Sequence, residues 1–293
     1  MKGIFHNNLL KDYYTITKPG IIYGNALTVV AGFFLASNGL INFQLLLITV
    51  IGVSLVVGSG CVFNNYIDRD IDKIMERTKN RPSVRGSIKS SVGIFYGSFL
   101  GVLGFSLLFL YTNIATVIVT AVGFFVYVVI YSLLLKRTST HSTIIGSISG
   151  AMPLLAGYLA VRGEIDSGVI ILFFILALWQ MPHFFAIGIY RLGDYKGANI
   201  PILPVKRGIH RTKVQMVIYI LLFIIATLSL TFYGYTGQIY FYVMFILGLV
   251  WLTMCIKGFY IKETEEKIWA RKVFLFSIIV LVVFCAVIIL PFI

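Results

Sequence analysis

Asn64, Asp68 and Asp72 stand four residues apart in the stretch NNYIDRDIDKIMERTKNRP, which runs from Asn64 to Pro82. On an α-helix this spacing puts an amide and two carboxylates on one face, drifting about 40° per step. Oxygen donors stacked in this way suit a hard divalent cation. Magnesium is held by one or two protein carboxylates, and water and substrate phosphates complete its shell. Arg69, Arg77, Lys79 and Arg81 crowd the same stretch. A diphosphate bound to the cation still carries negative charge, and arginine forks and lysine ammoniums neutralise it. The bland alternative is a solvated helix end with near-neighbour ion pairs such as Asp68–Lys73 or Asp72–Arg77. Three stacked donors followed by a base-rich loop exceed what solvation requires. Asp70 points to the opposite face, where Arg69 or Lys73 is its expected partner, and Asn65 flanks the ladder.

Further candidates lie elsewhere in the chain. The stretch YRLGDYKGANIPILPVKRG from Tyr190 carries Asp194, a candidate second metal contact, and Lys196, a candidate diphosphate contact. Lys136 and Arg137 follow Tyr131 and Ser132, and Lys18 precedes Pro19. These three extend the pool of candidate diphosphate-binding bases and read equally well as topogenic charge. His183, in WQMPHFF, is an ionisable residue inside an apolar run, which is a functional hypothesis by default. An imidazole there can ligate haem iron or act as a base. The alternative is a histidine hydrogen-bonded to a neighbouring helix.

The elements that must position these residues are membrane spans. Hydrophobic residues make up 59% of the chain and charged residues 12%, against roughly a quarter charged in a soluble domain. Lipid must therefore solvate much of the surface. Nine apolar runs of spanning length cover about 20–37, 43–63, 91–111, 114–135, 144–161, 167–187, 214–233, 238–257 and 271–291. The basic residues Lys2, Lys11 and Lys18, and those of the connections after spans two, four, six and eight, all fall on one side. Arg162 alone lies on the other. Basic loops stay cytoplasmic, so the expected topology has the N-terminus inside and the C-terminus outside. The net charge of +13 is then mostly orientation signal, with no nucleic-acid role. The first apolar run is of spanning length with no cleavage motif, so no cleaved signal peptide is expected. His6 and His210 read as solvated loop residues. Cys61, Cys255 and Cys285 form no metal or disulfide pattern and read as packing residues. One integral-membrane domain, 1–293, is expected.

The Asn64, Asp68, Asp72 pattern resembles the first aspartate motif of the UbiA superfamily of intramembrane prenyltransferases. TKPGI at Thr17–Ile21, GCVFNNYIDRDID at Gly60–Asp72, MERTKNRP at Met75–Pro82, LWQMPHF at Leu178–Phe184 and DYKGANIPILPV at Asp194–Val205 are similar to its haem-farnesylating branch. The resemblance implies an all-α bundle of nine transmembrane helices around a central cavity open to the cytoplasmic side. It implies farnesyl diphosphate and haem B as substrates, Mg2+ as cofactor, and haem O and diphosphate as products. The haem 2-vinyl group becomes a hydroxyethylfarnesyl group. The implied roles place magnesium on Asn64, Asp68, Asp72 and Asp194, and diphosphate on Lys18, Arg69, Arg77, Lys79, Arg81, Lys136, Arg137 and Lys196. Haem contacts fall on Trp179, His183 and Tyr190. Phe63, Tyr66 and Phe184, with Trp179, are candidate cavity-lining aromatics. A bacterial-type plasma membrane is the expected location, with a terminal oxidase assembly or a haem A synthase as the expected consumer of the product. Quinone-type members carry a second DxxxD after the sixth span. Here Tyr190 and Asp194 occupy those places, so one carboxylate is missing. The alternatives are an aromatic prenyltransferase acting on a quinone precursor, a transporter, and a non-catalytic haem-handling assembly factor. Charges gathered at one membrane face argue against transport.

Overall fold

A computed structural model describes residues 9–289. Lys2 and His6 lie outside the described residues. Among the described residues the fold is entirely helical, and nine helices are long and apolar enough to cross a membrane. They are Pro19–Ser37, Phe43–Ile67, Ser90–Tyr111, Ile114–Leu135, Ser142–Arg162, Ser167–Tyr190, Ile209–Phe232, Gln238–Lys257 and Glu263–Val287. Helices are what such sequences must form, because hydrocarbon offers no partner for a backbone N–H or C=O. The seventh and ninth helices begin several residues before their apolar runs. Those extra turns carry a buried Lys213–Glu266 ion pair at 2.6 Å, with the Lys213 ammonium 5.3 Å from the Trp269 ring centroid.

Turns at the face opposite the basic loops are set by side-chain caps. Asn42, Asn113 and Asp166 accept from the backbone N–H of Leu45, Thr116 and Val169. Packing between spans depends on small residues. A Cβ on Gly157 would come within 2.0 Å of the Val29 carbonyl oxygen, and one on Gly93 within 2.0 Å of the Tyr66 hydroxyl. The first span therefore lies directly against the fifth, and the second against the third. The largest apolar core joins the first, fifth, sixth, seventh, eighth and ninth spans around Leu154, Tyr158, Leu172, Phe223 and Trp251.

Two departures from ideal α-helix shape the basic face. The second span stops at Ile67, and a short helix Arg69–Ile74 restarts after Asp68. The fourth span is α-helical to Phe125 and π-helical from Val126 to Leu135. Between the sixth and seventh spans a short helix, Leu192–Gly197, leads into a loop that packs Ile200 against Ile71 and Met75, with Tyr195 alongside. The two charged connections are thereby folded against each other.

Candidate active site

The helix break at Asp68 leaves the ladder in register. Asp68 has φ −92° and ψ 8°, yet its N–H still reaches the Asn64 carbonyl (3.0 Å) and its own carbonyl accepts from the Asp72 N–H (2.8 Å). All three side chains are buried: Asn64 is 3% exposed, Asp68 0% and Asp72 3%. Charges so far from water survive only when paired. Lys136, at the end of the fourth span, pairs with Asp68. Arg81 pairs with Asp72 at 2.6 Å. The Asn64 amide donates to Asp68 Oδ2 (2.8 Å) and to Ser132 Oγ (2.9 Å), and its oxygen accepts from the Lys18 ammonium.

Lys18 is held under constraint. Its backbone is left-handed, with φ 55° and ψ 66°, a conformation that costs a non-glycine residue on the order of 1 kcal/mol. Burial brings its ammonium down to about 8, with the nearby Arg81 and Lys136 charges acting in the same direction. Asn65, one step round the helix, does not flank the ladder. It donates to Ile16 O (2.7 Å) and Cys61 O (2.9 Å), which fastens the segment leading to Lys18 onto the second span.

Two carboxylate oxygens of the candidate metal ligands are buried without a hydrogen-bond partner among the described residues: Asp68 Oδ1 and Asp194 Oδ2. An orphaned buried acceptor calls for an explanation, and a bound ion is one. Among the described residues no three His, Cys, Asp or Glu side chains form an all-protein cage. Two buried carboxylates and an amide oxygen on one helical face are a donor set of the kind that magnesium takes when substrate phosphate completes its shell.

The chain matches the UbiA prenyltransferase family over residues 25–289. The chain belongs to the UbiA prenyltransferase family. A protein named protoheme IX farnesyltransferase from Yersinia pseudotuberculosis serotype O:1b (strain IP 31758) is 50% identical over 271 residues, covering 92% of this chain and 91% of that one. A solved structure concerning digeranylgeranylglyceryl phosphate synthase in membranes superposes with a TM-score of 0.76 at 22% identity, covering 96% of this chain and 97% of the other. A UbiA homolog from Archaeoglobus fulgidus, solved with GPP and Mg2+ bound, has a TM-score of 0.70 at 13% identity and covers 95% of this chain and 99% of that one. At these identities the two structures establish the fold.

Within this UbiA-family bundle, the structure sorts the candidate bases. Lys18, Arg81 and Lys136 contact the ladder. Arg77 is exposed, and its charge acts on Tyr131 and Tyr195, which places it at the rim. Burial pushes the Tyr195 phenol up, with the Tyr131 and Asp194 charges adding to the effect. Arg69 turns to the third span, with Nη1 3.5 Å from Ser90 Oγ. Lys79 pairs with Glu76 at 2.6 Å on the surface, and Lys196 is exposed.

Arg137 makes two bonds of 2.7 Å to Asp70 and a third to Ile67 O. The guanidinium holds the Asp70 carboxyl below the usual carboxylate range. The partner of Asp70 is thus Arg137 and neither Arg69 nor Lys73. The short helix turns Asp70 away from the ladder and toward the end of the fourth span. Asp68 and Asp72 likewise take distant partners in place of Lys73 and Arg77.

The aromatic candidates disperse. His183 Nδ1 lies 2.7 Å from Ser277 Oγ, and Ser277 spends its own hydrogen on Phe274 O (2.6 Å). The imidazole therefore donates through Nδ1, and in the neutral ring the lone pair is then on Nε2, which has no hydrogen-bond partner among the described residues. Trp179 stacks on His183 at 4.7 Å and donates to Ser277 O (2.9 Å), so both rings sit in the seam between the sixth and ninth spans. Tyr190 is covered by the Arg191 guanidinium at 4.6 Å. Phe184 is 44% exposed and lies edge-on to the His183 ring, with centroids 5.2 Å apart. Tyr66 is packed on Gly93, and Phe63 is edge-on to Phe124. Sequence reasoning gave no role to Ser132, although a lone serine one turn before a basic pair is a visible signal.

Proposed function

We propose that this chain transfers the farnesyl group of farnesyl diphosphate to the 2-vinyl carbon of haem B, with addition of water, giving haem O and diphosphate. The observation that carries the proposal is the buried Asn64–Asp68–Asp72 ladder, ringed by Lys18, Arg81 and Lys136. The name of the half-identical relative, protoheme IX farnesyltransferase, supports haem as the acceptor. Asn64, Asp68, Asp72 and Asp194 would hold magnesium, which when bound acts as a Lewis acid toward the diphosphate.

Each base of the cluster has a second use. The pairs Lys136–Asp68 and Arg81–Asp72 hold two buried carboxylates against part-buried bases. In a magnesium diphosphate both partners find complementary ligands, carboxylate to cation and base to phosphate oxygen. As the allylic C–O bond breaks, negative charge grows on the leaving diphosphate. Lys18, Arg81 and Lys136 are already oriented toward that place, so they stabilise the transition state more than the ground state. The apolar interior between the spans shields the allylic cation from stray water until the vinyl carbon attacks it. Water then captures the cation left on the haem side chain and gives up a proton to the released diphosphate or to solvent, leaving the hydroxyl.

His183 Nε2, without a hydrogen-bond partner among the described residues, is the group we assign to haem. Trp179 sets its ring plane and Ser277 its tautomer. Tyr190 lies at the cytoplasmic end of the same helix. The basic face is taken as cytoplasmic, with the N-terminus inside, the C-terminus outside and the site opening toward the cytoplasm of a bacterial-type plasma membrane. The product is of a kind that a terminal oxidase or a haem A synthase consumes.

The test uses purified protein in lipid nanodiscs with farnesyl diphosphate, Mg2+ and either haem B or an aromatic quinone precursor. Haem O identified by mass supports the reading. Prenylation of the quinone precursor with haem B left unchanged refutes it.

A further inference from the structure

The π-helical end of the fourth span has a local consequence. The Lys136 N–H bonds to Tyr131 O, five residues back, at 2.9 Å, and Ser132 Oγ donates to Tyr127 O, also five back, at 2.8 Å. In an uninterrupted α-helix a serine back-bonds to residue i−4, here Val128, and its hydroxyl points elsewhere around the helix. Stretches of i→i+5 helix are rare and gather at functional sites.

A serine hydroxyl has one hydrogen to give. Ser132 spends it on Tyr127 O, so it meets the Asn64 amide nitrogen, 2.9 Å away, only as an acceptor. Both Asn64 amide hydrogens are then committed, one to Ser132 and one to Asp68 Oδ2 at 2.8 Å. A flipped amide would set its oxygen against the Asp68 carboxylate, acceptor to acceptor. The carbonyl oxygen is therefore held on the side of Lys18, with a second lone pair to spare. A hard cation binds amide oxygen and not amide nitrogen. Ser132 is fully buried, so no water competes for the arrangement.

We propose that Ser132 is a positioning residue: the π-helical turn anchors it, and it fixes the Asn64 amide so that oxygen faces the magnesium diphosphate. This rests on the reading of Asn64 as a cation ligand given above.

The test measures Mn2+ binding by electron paramagnetic resonance to full-length protein in nanodiscs. Farnesyl thiodiphosphate serves as a diphosphate that does not turn over. Wild type is compared with Ser132→Ala, Ser132→Thr and Asp68→Ala. Loss of an orienting partner typically weakens metal binding about 10–100-fold, which is the expectation for Ser132→Ala. Ser132→Thr, which keeps the hydroxyl, should return to within about threefold of wild type on the same argument. Thermal unfolding without Mn2+ or analogue measures any packing effect separately. If Ser132→Ala does not fold, Ser132→Cys takes its place, since a thiol is a poor acceptor, and a loss in the same direction is expected. Wild-type Mn2+ affinity in Ser132→Ala, alongside loss of binding in Asp68→Ala, overturns the positioning role and leaves the ladder intact. Wild-type affinity in Asp68→Ala overturns the ladder itself, and the inference with it.

Discussion

Replacing Asp68 by asparagine keeps the shape of the ladder and removes its most buried charge. Asp68 is 0% exposed and is paired with Lys136, whose side chain is 16% exposed. Removing one partner of a buried ion pair costs about 3–5 kcal/mol, because the other charge is stranded. The remaining exposure of Lys136 lets water reach its ammonium, so the lower end, about 3 kcal/mol, is expected for folding stability. The effect on turnover has a different origin. Loss of one preorganised group that stabilises developing charge costs about 10²–10³ in rate, and weakened magnesium binding adds to this. The assay is haem O formation in membranes with added farnesyl diphosphate, together with thermal unfolding of purified protein. The double variant Asp68→Asn/Lys136→Met separates the two effects, since it also removes the stranded ammonium. Stability should recover in the double variant while activity stays low. Activity within about threefold of wild type in the single variant would contradict a rate effect of that size, and recovered activity in the double variant would contradict the metal assignment.

Other outcomes follow from the same geometry. Asp70→Asn breaks only the exposed Asp70–Arg137 pair, and exposed pairs contribute about 0–1 kcal/mol, so haem O formation should stay near wild type; a large loss would put Asp70 in the site. Gly157→Ala drives a methyl group to 2.0 Å from the Val29 carbonyl oxygen, and overpacking of this kind costs about 1–3 kcal/mol. A lowered unfolding midpoint is expected, and an unchanged one would mean that the first and fifth spans are not in close contact. His183→Ala should change the iron coordination spectrum of the haem-bound protein, whereas an unchanged spectrum removes His183 as a ligand.

Much of this was legible in the sequence because the bilayer simplifies the problem. A run of apolar residues of spanning length has one stable conformation in lipid, so the nine runs correspond to nine helices among the described residues. The ladder was legible because i→i+4 spacing survives even the break at Asp68, where the backbone bonds continue through Asn64, Asp68 and Asp72. The partners were not legible. Charge pairs at short sequence distance looked adequate on one helix, yet Asp68 reaches Lys136, Asp70 reaches Arg137 and Asp72 reaches Arg81, because the end of the fourth span closes over the second and the loop after the short helix Arg69–Ile74 folds back on it. The π-helical stretch Val126–Leu135 left no mark in the apolar pattern, since lipid-facing leucines tolerate either winding. That hid the role of Ser132.

The ion pairs of the ladder argue for function more strongly than for stability. A buried ion pair is often no more stabilising than well-packed apolar residues of the same volume. This fold has apolar residues in abundance and could have closed the contact between the second and fourth spans with them. Instead it buries Asp68 and Asp72 against Lys136 and Arg81, leaves one Asp68 oxygen without a partner, and holds Lys18 in a left-handed backbone conformation to reach Asn64. None of these features favours the resting fold over apolar packing, and under the proposed function each would become favourable with a cation and a diphosphate bound. The position matters as much as the chemistry. Asn64 lies within the last turn of the second span, and Asp72 lies in the short helix beyond it. The ladder therefore straddles the end of the second span, and under the proposed function a charged diphosphate would remain near water depth there while an isoprenoid chain enters the apolar interior between the helices.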